Sequence, residues 1–512
     1  MNFSAALGLC FFVSLAMGSS VANAGPLDKP ARDKDALVIA TARGIDNLDA
    51  SVTATADSQR YAWQIYDTLY KFDRRGQMQP SLATAVEIAP DAKTYTFTLR
   101  KGVKFHNGDP MTAEDVAFSM QRMLDPETKS TRRPNFATVV DTVETPAEDK
   151  VIFKLKKPDG AFLNKISAFL YVLPKKYIVG LGSPAAFSAS PVGTGPYRFE
   201  KQQIGQTLDL VRFEEFWGEK PAIQRLHFRL IPEDSSRVNA LLAGEVDLID
   251  TVPPRESKRL AATKDLTVVH APVASPLHIR LYANRPELPI HDVRVRQALN
   301  YAINKKAIVD SVLHGVGEPM ASYISKYYPY GHDATLKPYP YDPNKAKQLL
   351  KEAGYPNGFK TSLYTYPGMP KELPEVLAAF WQQVGVQTEI KPLAYSAWSR
   401  LNNTHQTDPM TVMQFANSMY DPAHPVNGAF IKGGTWSDYY NPEVERIFAE
   451  TEGVTDLEKR GQLFKSIDRI IHEDAAAVFI SELFYSFGHK SNLEWHAQLG
   501  DGYFNFRTAR WK

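Results

Sequence analysis

The chain has 512 residues, with 59 Lys+Arg against 57 Asp+Glu and a formal net charge of only +2. With no basic stripe and no acidic tail, that balance argues against nucleic acid as the natural partner. A hydrophobic content of 44% and a charged content of 23% are those of a globular protein, and the length predicts two or three domains.

Residues 1–4 are a short polar start and residues 5–17 an apolar run, too short to span a bilayer as a stable helix. The small residues that follow end in Ala22-Asn23-Ala24, an A-x-A site. Residues 1–24 therefore read as a signal peptide cleaved after Ala24, and the mature protein is expected in the periplasm. The single cysteine, Cys10, lies in the apolar run behind Leu9, which is too bulky for a lipoprotein cleavage box. A cysteine-free mature chain suits an oxidising compartment.

Residues 36–42 read as a buried strand, and a polar loop over 43–57 leads into a helix expected at 58–70, with Tyr61, Ile65, Thr68 and Leu69 on one face. Residues 94–100 alternate with period two, as an amphipathic strand does. The helix at 112–124 opens on Thr112-Ala-Glu-Asp115, a capping-box-like start, and stops at Asp125-Pro126. Residues 151–155 form a further strand. Residues 183–196, rich in Ser, Pro and Gly, have the composition of a crossing between domains. Strands follow at 207–213 and 225–231, with a helix at 235–243. A long amphipathic helix is predicted over 293–313, others over 343–353, 372–384 and 455–474, and strands over 386–391 and 476–480. Strands and helices mix without a regular βαβ series, which predicts a large α/β protein of more than one lobe.

No catalytic signature accompanies this pattern: G-x-S-x-G, H-E-x-x-H and P-loop sequences are all missing. His472-Glu473 lacks the second histidine at helical spacing, and Gly180-Leu-Gly182 lacks the third glycine of a dinucleotide site. Glu214-Glu215 has the residue types of a glycosidase acid pair, but a solvated surface pair is the better reading in so charged a chain. His106, His278, His314 and His424 are scattered rather than spaced as metal ligands. The sequence thus predicts a protein that is not an enzyme and carries no metal or cofactor.

A set of segments carries more weight together. They are Phe105-His-Asn-Gly-Asp-Pro-Met-Thr-Ala-Glu-Asp-Val116, Ser190-Pro-Val-Gly-Thr-Gly-Pro-Tyr-Arg-Phe199 and Gly244-Glu-Val-Asp-Leu-Ile249. Val293-Arg-Val-Arg-Gln-Ala-Leu-Asn-Tyr-Ala-Ile303 follows, then Tyr341-Asp-Pro-Asn-Lys-Ala-Lys-Gln-Leu-Leu350 with Glu352-Ala-Gly354. In this order and spacing the chain resembles the extracellular solute-binding proteins of family 5, which include the oligopeptide- and dipeptide-binding proteins of bacterial ABC importers. The resemblance spans roughly residues 36–510. It implies an α/β, two-lobed periplasmic binding protein fold (type II-like, cluster C) with an extra inserted domain. Domain I would take residues 25–70, 191–285 and 481–512, domain II residues 71–190 and domain III residues 286–480. It also implies a small-molecule or short-peptide ligand caught between the lobes, inner-membrane ABC permease subunits as partners, and a monomer.

Within that frame several residues are candidates. Gly193-Thr194-Gly195-Pro196 reads as a hinge or cleft-lining segment, or as a tight turn before the next strand. In His278-Ile-Arg-Leu-Tyr-Ala-Asn284 the alternation puts His278, Arg280, Tyr282 and Asn284 on one face, to line a cleft or to meet solvent. Asn47, in the polar loop, is a further ligand candidate. In peptide-binding members an aspartate four residues before a proline pairs with the peptide's amino terminus. Here Ser418 stands four residues before Pro422, and Asp421 matches the family's other acidic position. A hydroxyl cannot neutralise an ammonium as a carboxylate does. Either Asp421 takes that role or the ligand lacks a free α-amino group, so an oligosaccharide, an opine-like conjugate or a metal chelate stays open beside a peptide. Lys371 sits where the family places a cation for a ligand carboxylate, and is otherwise a surface lysine. Of Trp398, Trp436 and Tyr439, one at most is expected to stack on a ligand. A secreted hydrolase and a periplasmic chaperone are the rivals from other classes.

Overall fold

The computed structural model describes residues 35–44, 47–52, 56–415, 417–498 and 504–512; the expected leader and its cleavage site lie outside them. In chain order the strands are β1 (Ala36–Thr41), β2 (Tyr70–Phe72), β3 (Met78–Pro80), β4 (Ala83–Ile88), β5 (Thr94–Leu99), β6 (Val140–Ala147) and β7 (Lys150–Leu155). There follow β8 (Tyr197–Gln203), β9 (Thr207–Arg212), β10 (Arg225–Leu230), β11 (Leu248–Ile249) and β12 (Leu266–Leu281). The last are β13 (Gly317–Pro319), β14 (Lys360–Thr365), β15 (Gln387–Pro392), β16 (Met410–Gln414) and β17 (Ala477–Lys490).

Eleven of these form one mixed sheet, in the order β15-β14-β16-β12-β17-β11-β1-β10-β9-β8, with β13 paired to β17 off that path. At one end β1 runs parallel to β10 and β11, and at the other β14 runs parallel to β15 and β16. The two ends are joined through β12 and β17, which pair antiparallel from Leu266↔Lys490 to Arg280↔Ala477. Register shifts between Pro272 and Pro276 and between Leu277 and His278 interrupt that ladder midway, and Ala274 there has φ +49°. Such irregularities bend the strands and release local pairing at the one connection the two halves share in the sheet.

A second, four-stranded antiparallel sheet, β4-β5-β7-β6, is built from residues 83–155. In β5 the alternation buries Tyr95, Phe97 and Leu99 against Phe153, Phe162 and the helix Ala113–Leu124. Thr112 caps that helix as its sequence predicts: its backbone N–H donates to Asp115 Oδ2 at 2.8 Å. The core of this sheet continues into Met419 and Tyr420 from far along the chain.

Three expectations are corrected. The helix expected at 58–70 is shorter, Ala56–Ile65, because the chain turns away to enter β2 and the Ile65 carbonyl accepts the Gly195 N–H at 2.9 Å. The helix expected over 293–313 is two, Val293–Tyr301 and Lys305–Ser311. Asn304 divides them as an N-cap, its side chain accepting from the Ala307 N–H at 3.0 Å, which fixes extended backbone where helix would otherwise continue. The strand expected at 476–480 runs on to Lys490, since β12 gives it a partner along its length.

Candidate functional site

Residues 417–424 lie on a seam. Tyr420 is buried with φ +52°, an unfavourable backbone region for a bulky aromatic. It is fixed there by ring contact with Phe72 (centroids 4.7 Å), and the preceding residue is tied across by Asn164, whose amide donates to the Met419 carbonyl at 2.9 Å. Asn417 spans the turn, donating to the Asp421 carbonyl at 2.8 Å and accepting from the Met419 N–H at 3.1 Å. Strain held at such a junction marks a place that the surrounding structure over-determines.

Asp421 is fully buried and its carboxylate is engaged internally. It accepts from Arg460 Nε at 3.2 Å and Nη2 at 3.3 Å, from the Tyr330 hydroxyl at 2.7 Å and from the Ala423 N–H at 2.6 Å. Ser418, four residues before Pro422, is half-buried. Neither position therefore presents a carboxylate with oxygens to spare.

Phe415 packs on Trp436 (4.8 Å) and on His424 (5.2 Å). Burial, with Arg132 and Lys165 across the seam, pushes the His424 imidazole down to about 4, so it stays neutral. Farther along, Trp398 is buried and donates its indole N–H to Thr411 Oγ1 at 2.8 Å; its ring lies 3.9 Å from Tyr366 and 5.8 Å from Tyr395, which is 60% exposed. Tyr439 is a core residue whose hydroxyl donates to Asp474 Oδ2 at 2.5 Å. Lys371 stands exposed in the turn after Tyr366.

On this face Arg280, near the end of β12, and Tyr282, just past it, are buried, whereas Asn284 is exposed; His278 and Arg280 border a small cavity with Trp436 and Asp438. Every residue from Val273 to Leu281 is buried, and Tyr282 has no exposed surface. Arg280 is ion-paired with Asp438 and donates to the Asn402 side chain at 2.6 Å and carbonyl at 3.0 Å. The Tyr282 hydroxyl bonds Thr407 Oγ1 at 2.7 Å, with the Arg280 and Arg285 guanidiniums 4.8 and 4.9 Å from its ring. Alternation alone gave this face a choice of cleft or water; the segment 402–408 and Asp438 cover Arg280 and Tyr282 instead.

The Gly193-Thr194-Gly195 segment is clamped against the end of the helix Ala56–Ile65. A Cβ on Gly193 would lie 2.1 Å from the Ile65 carbonyl oxygen, and one on Gly195 2.5 Å from that of Gln64, so close backbone approach, not flexibility, requires both glycines. His106 staples the segment: Nδ1 accepts the Gly193 N–H at 3.2 Å and Nε2 meets the Gly195 carbonyl at 2.9 Å. Burial pushes this imidazole down to about 4, and the neutral ring has the one donor and one acceptor the pattern needs. Thr194, fully buried, donates to Asp67 Oδ2 at 3.1 Å. Asn47 caps its own loop, accepting the Asp49 N–H at 2.8 Å, beside Tyr171.

A cavity of about 460 Å³ opens beside the seam. Its wall includes Phe72, which touches Tyr420, and Ser167, one turn along the helix Phe162–Phe169 from Asn164. Lys71, Asp67 and Arg507 line it as well, none of them singled out by the sequence. Arg507 lies 440 positions from Asp67 yet donates to its Oδ1 at 2.5 Å. The one local signal was Tyr70-Lys71-Phe72, a lysine set between two buried aromatics in a short strand. Among the described residues no group of three or more His, Cys, Asp or Glu could hold a metal ion.

Comparisons with known proteins agree with this architecture. The family model of bacterial extracellular solute-binding proteins, family 5 (middle), matches residues 77–437. Heme-binding protein A of Haemophilus influenzae is 31% identical over 445 residues, 80% of this chain and 80% of that protein. A dipeptide-binding protein of Escherichia coli is 28% identical over 455 residues, 81% of this chain and 83% of that one. The ABC transporter-associated periplasmic binding protein DppA from Helicobacter pylori, solved in complex with the peptide STSA, superposes with a TM-score of 0.77 at 25% identity, covering 93% of this chain and 98% of that one. The mixed sheet with its helices is thus the fold of two-lobed periplasmic binding proteins.

Proposed function

We infer the function from kinship first: the chain belongs to the bacterial extracellular solute-binding proteins of family 5. It is a substrate-binding component of an ABC importer, capturing a small solute and delivering it to a membrane permease. Its solute is a short peptide or peptide-like molecule, held in the cavity lined by Phe72 and Ser167 beside the seam. The two halves of the large sheet close on it about β12 and β17, a hinge motion of the kind periplasmic binders use. The solute is released chemically unchanged, and the protein acts as a monomer after removal of residues 1–24.

One observation carries this reading: the cavity of about 460 Å³ beside the seam, walled by Phe72, Ser167 and residues of the C-terminal segment such as Arg507. Pockets for small organic ligands run from about 300 to about 1,000 Å³. Its mixed wall of aromatic rings, amides and charges suits a compact polar solute with an apolar body.

A second reading keeps the same fold with a solute that has no free α-amino group. Ser418 is a hydroxyl and the Asp421 carboxylate is already engaged, so neither compensates an ammonium. That favours an oligosaccharide, an opine-like conjugate or a chelate over an ordinary peptide.

Native mass spectrometry of protein purified without unfolding separates the two. Co-purifying peptide masses support the first reading, and a single non-peptide mass supports the second. Detection of a converted product, when candidate solutes are incubated with the protein, would overturn both.

A further inference from the structure

Five charged side chains line the seam cavity: Lys71, Arg74 and Arg507 against Asp67 and Asp73. Both acids are already engaged, Asp67 by Arg507 within the wall itself. Asp67 Oδ1 accepts from Arg507 Nη2, and its Oδ2 accepts from Thr194 Oγ1 at 3.1 Å and from the Trp217 indole at 3.0 Å. Asp73 Oδ1 closes its own turn, accepting the N–H groups of Arg75 at 2.8 Å and Gln77 at 3.0 Å.

That leaves Lys71. Its place in β2, between buried Tyr70 and Phe72, brings the half-buried ammonium to 5.9 Å from the centroid of the Trp217 ring, which Arg100 covers at 4.7 Å. Among the described residues the Lys71 ammonium has no hydrogen bond and no ion pair, only its contact with the Trp217 ring. The guanidinium of Arg507 donates through Nη2 to Asp67 and to the Trp63 carbonyl at 3.4 Å and lies 5.4 Å from the centroid of the Phe216 ring; among the described residues its Nε and Nη1 make no hydrogen bond. A cation withdrawn from water without a partner is costly, and a bound anion removes that cost. Burial, then Arg507 and Arg100 against the opposing Asp67, lowers the Lys71 ammonium to about 8.

We propose that this cavity receives a carboxylate of the solute against the Lys71 ammonium, with Arg507 as the second cation. The inference rests on the solute-binding reading above and assigns the acid-recognition role to the wall of the first half of the chain rather than to the exposed Lys371. The solute's carboxylate would balance a wall that carries three cations, Lys71, Arg74 and Arg507, against two acids, Asp67 and Asp73. It also accounts for a binder with no free carboxylate at residues 418–421: recognition runs through the acid end of the solute, not its amine.

The test is calorimetric titration of wild type, Lys71→Met and Lys71→Arg with di- and tripeptides, each as free acid and as C-terminal amide. At pH 7 wild type should prefer the acid by about tenfold or more, the effect of a charge-assisted contact. Lys71→Met should remove that preference by weakening the acid alone, while melting no lower than wild type, since it deletes an unpartnered cation. Lys71→Arg should keep it. The acid affinity of wild type should fall as pH rises past 8, as the ammonium facing Asp67, Asp73, Arg74, Arg100, His496 and Arg507 loses its proton; that of Lys71→Arg should not. An unchanged acid-to-amide ratio in Lys71→Met, or equal binding of acid and amide by wild type, overturns the proposal and leaves solute binding intact. Failure of wild type to bind any acid or amide overturns the peptide reading as well.

Discussion

The Asp421 carboxylate and the Arg460 guanidinium form a buried pair, 3.2 Å apart, in which neither side chain is more than 2% exposed. Tyr330 and the Ala423 N–H satisfy the remaining lone pairs of Asp421, so the pair is a structural clamp under the seam. Removing one member of such a pair strands the other charge. Arg460→Met should destabilise the protein by about 3–5 kcal/mol in denaturant unfolding, and Asp421→Asn added to it should restore part of that loss. A single variant that unfolds like wild type would show that the pair is not a clamp.

Gly195 gives a second stability prediction. A methyl group there meets the backbone carbonyls of Gln64 and Ile65 at 2.5 and 2.7 Å, and backbone cannot swing aside as a side-chain tip can. Gly195→Ala should lower stability by about 1–3 kcal/mol, read as a fall in melting temperature. If the segment were a free hinge, the same substitution would leave melting unchanged and alter only closure.

Glu482 sits in β17 opposite the interrupted part of β12, and it is buried. Burial and the nearby Glu318 push its carboxyl up to about 7, against hydrogen bonding from Ser325 and the opposing charge of His332. A carboxyl raised in the folded state stabilises the neutral form. Its contribution is complete below about pH 4.5 and is lost as pH rises through about 7. Glu482→Gln should therefore match wild type near pH 4 and exceed it by up to about 3 kcal/mol near pH 8.5. Parallel stability curves for the two proteins across that range would contradict this.

The legible part of this fold was local. Period-two burial in β5 and the Thr112 start of the helix Ala113–Leu124 both follow from residues a few positions apart. The ordered motifs from Phe105 to Gly354 carried the resemblance to the family that the chain belongs to. What escaped was set by distant cover. Arg280 and Tyr282 alternate as a half-exposed strand would, yet Asp438, 158 positions on, and Thr407 bury them. Asn304 split a long helical pattern because its cap competes with one more turn. Lys71 and Arg507 meet at one cavity only because the C-terminal segment returns to the beginning of the chain, a pairing that no spacing announces.

Closure of two lobes around a solute is the central claim, and X-ray scattering measures it directly. Curves would be collected with and without a panel of peptide acids, in parallel with the melting temperature. Binding should shrink the radius of gyration and raise the melting point for the solutes that titrate. Identical curves and unmoved melting across peptides, sugars and chelates alike would contradict the account.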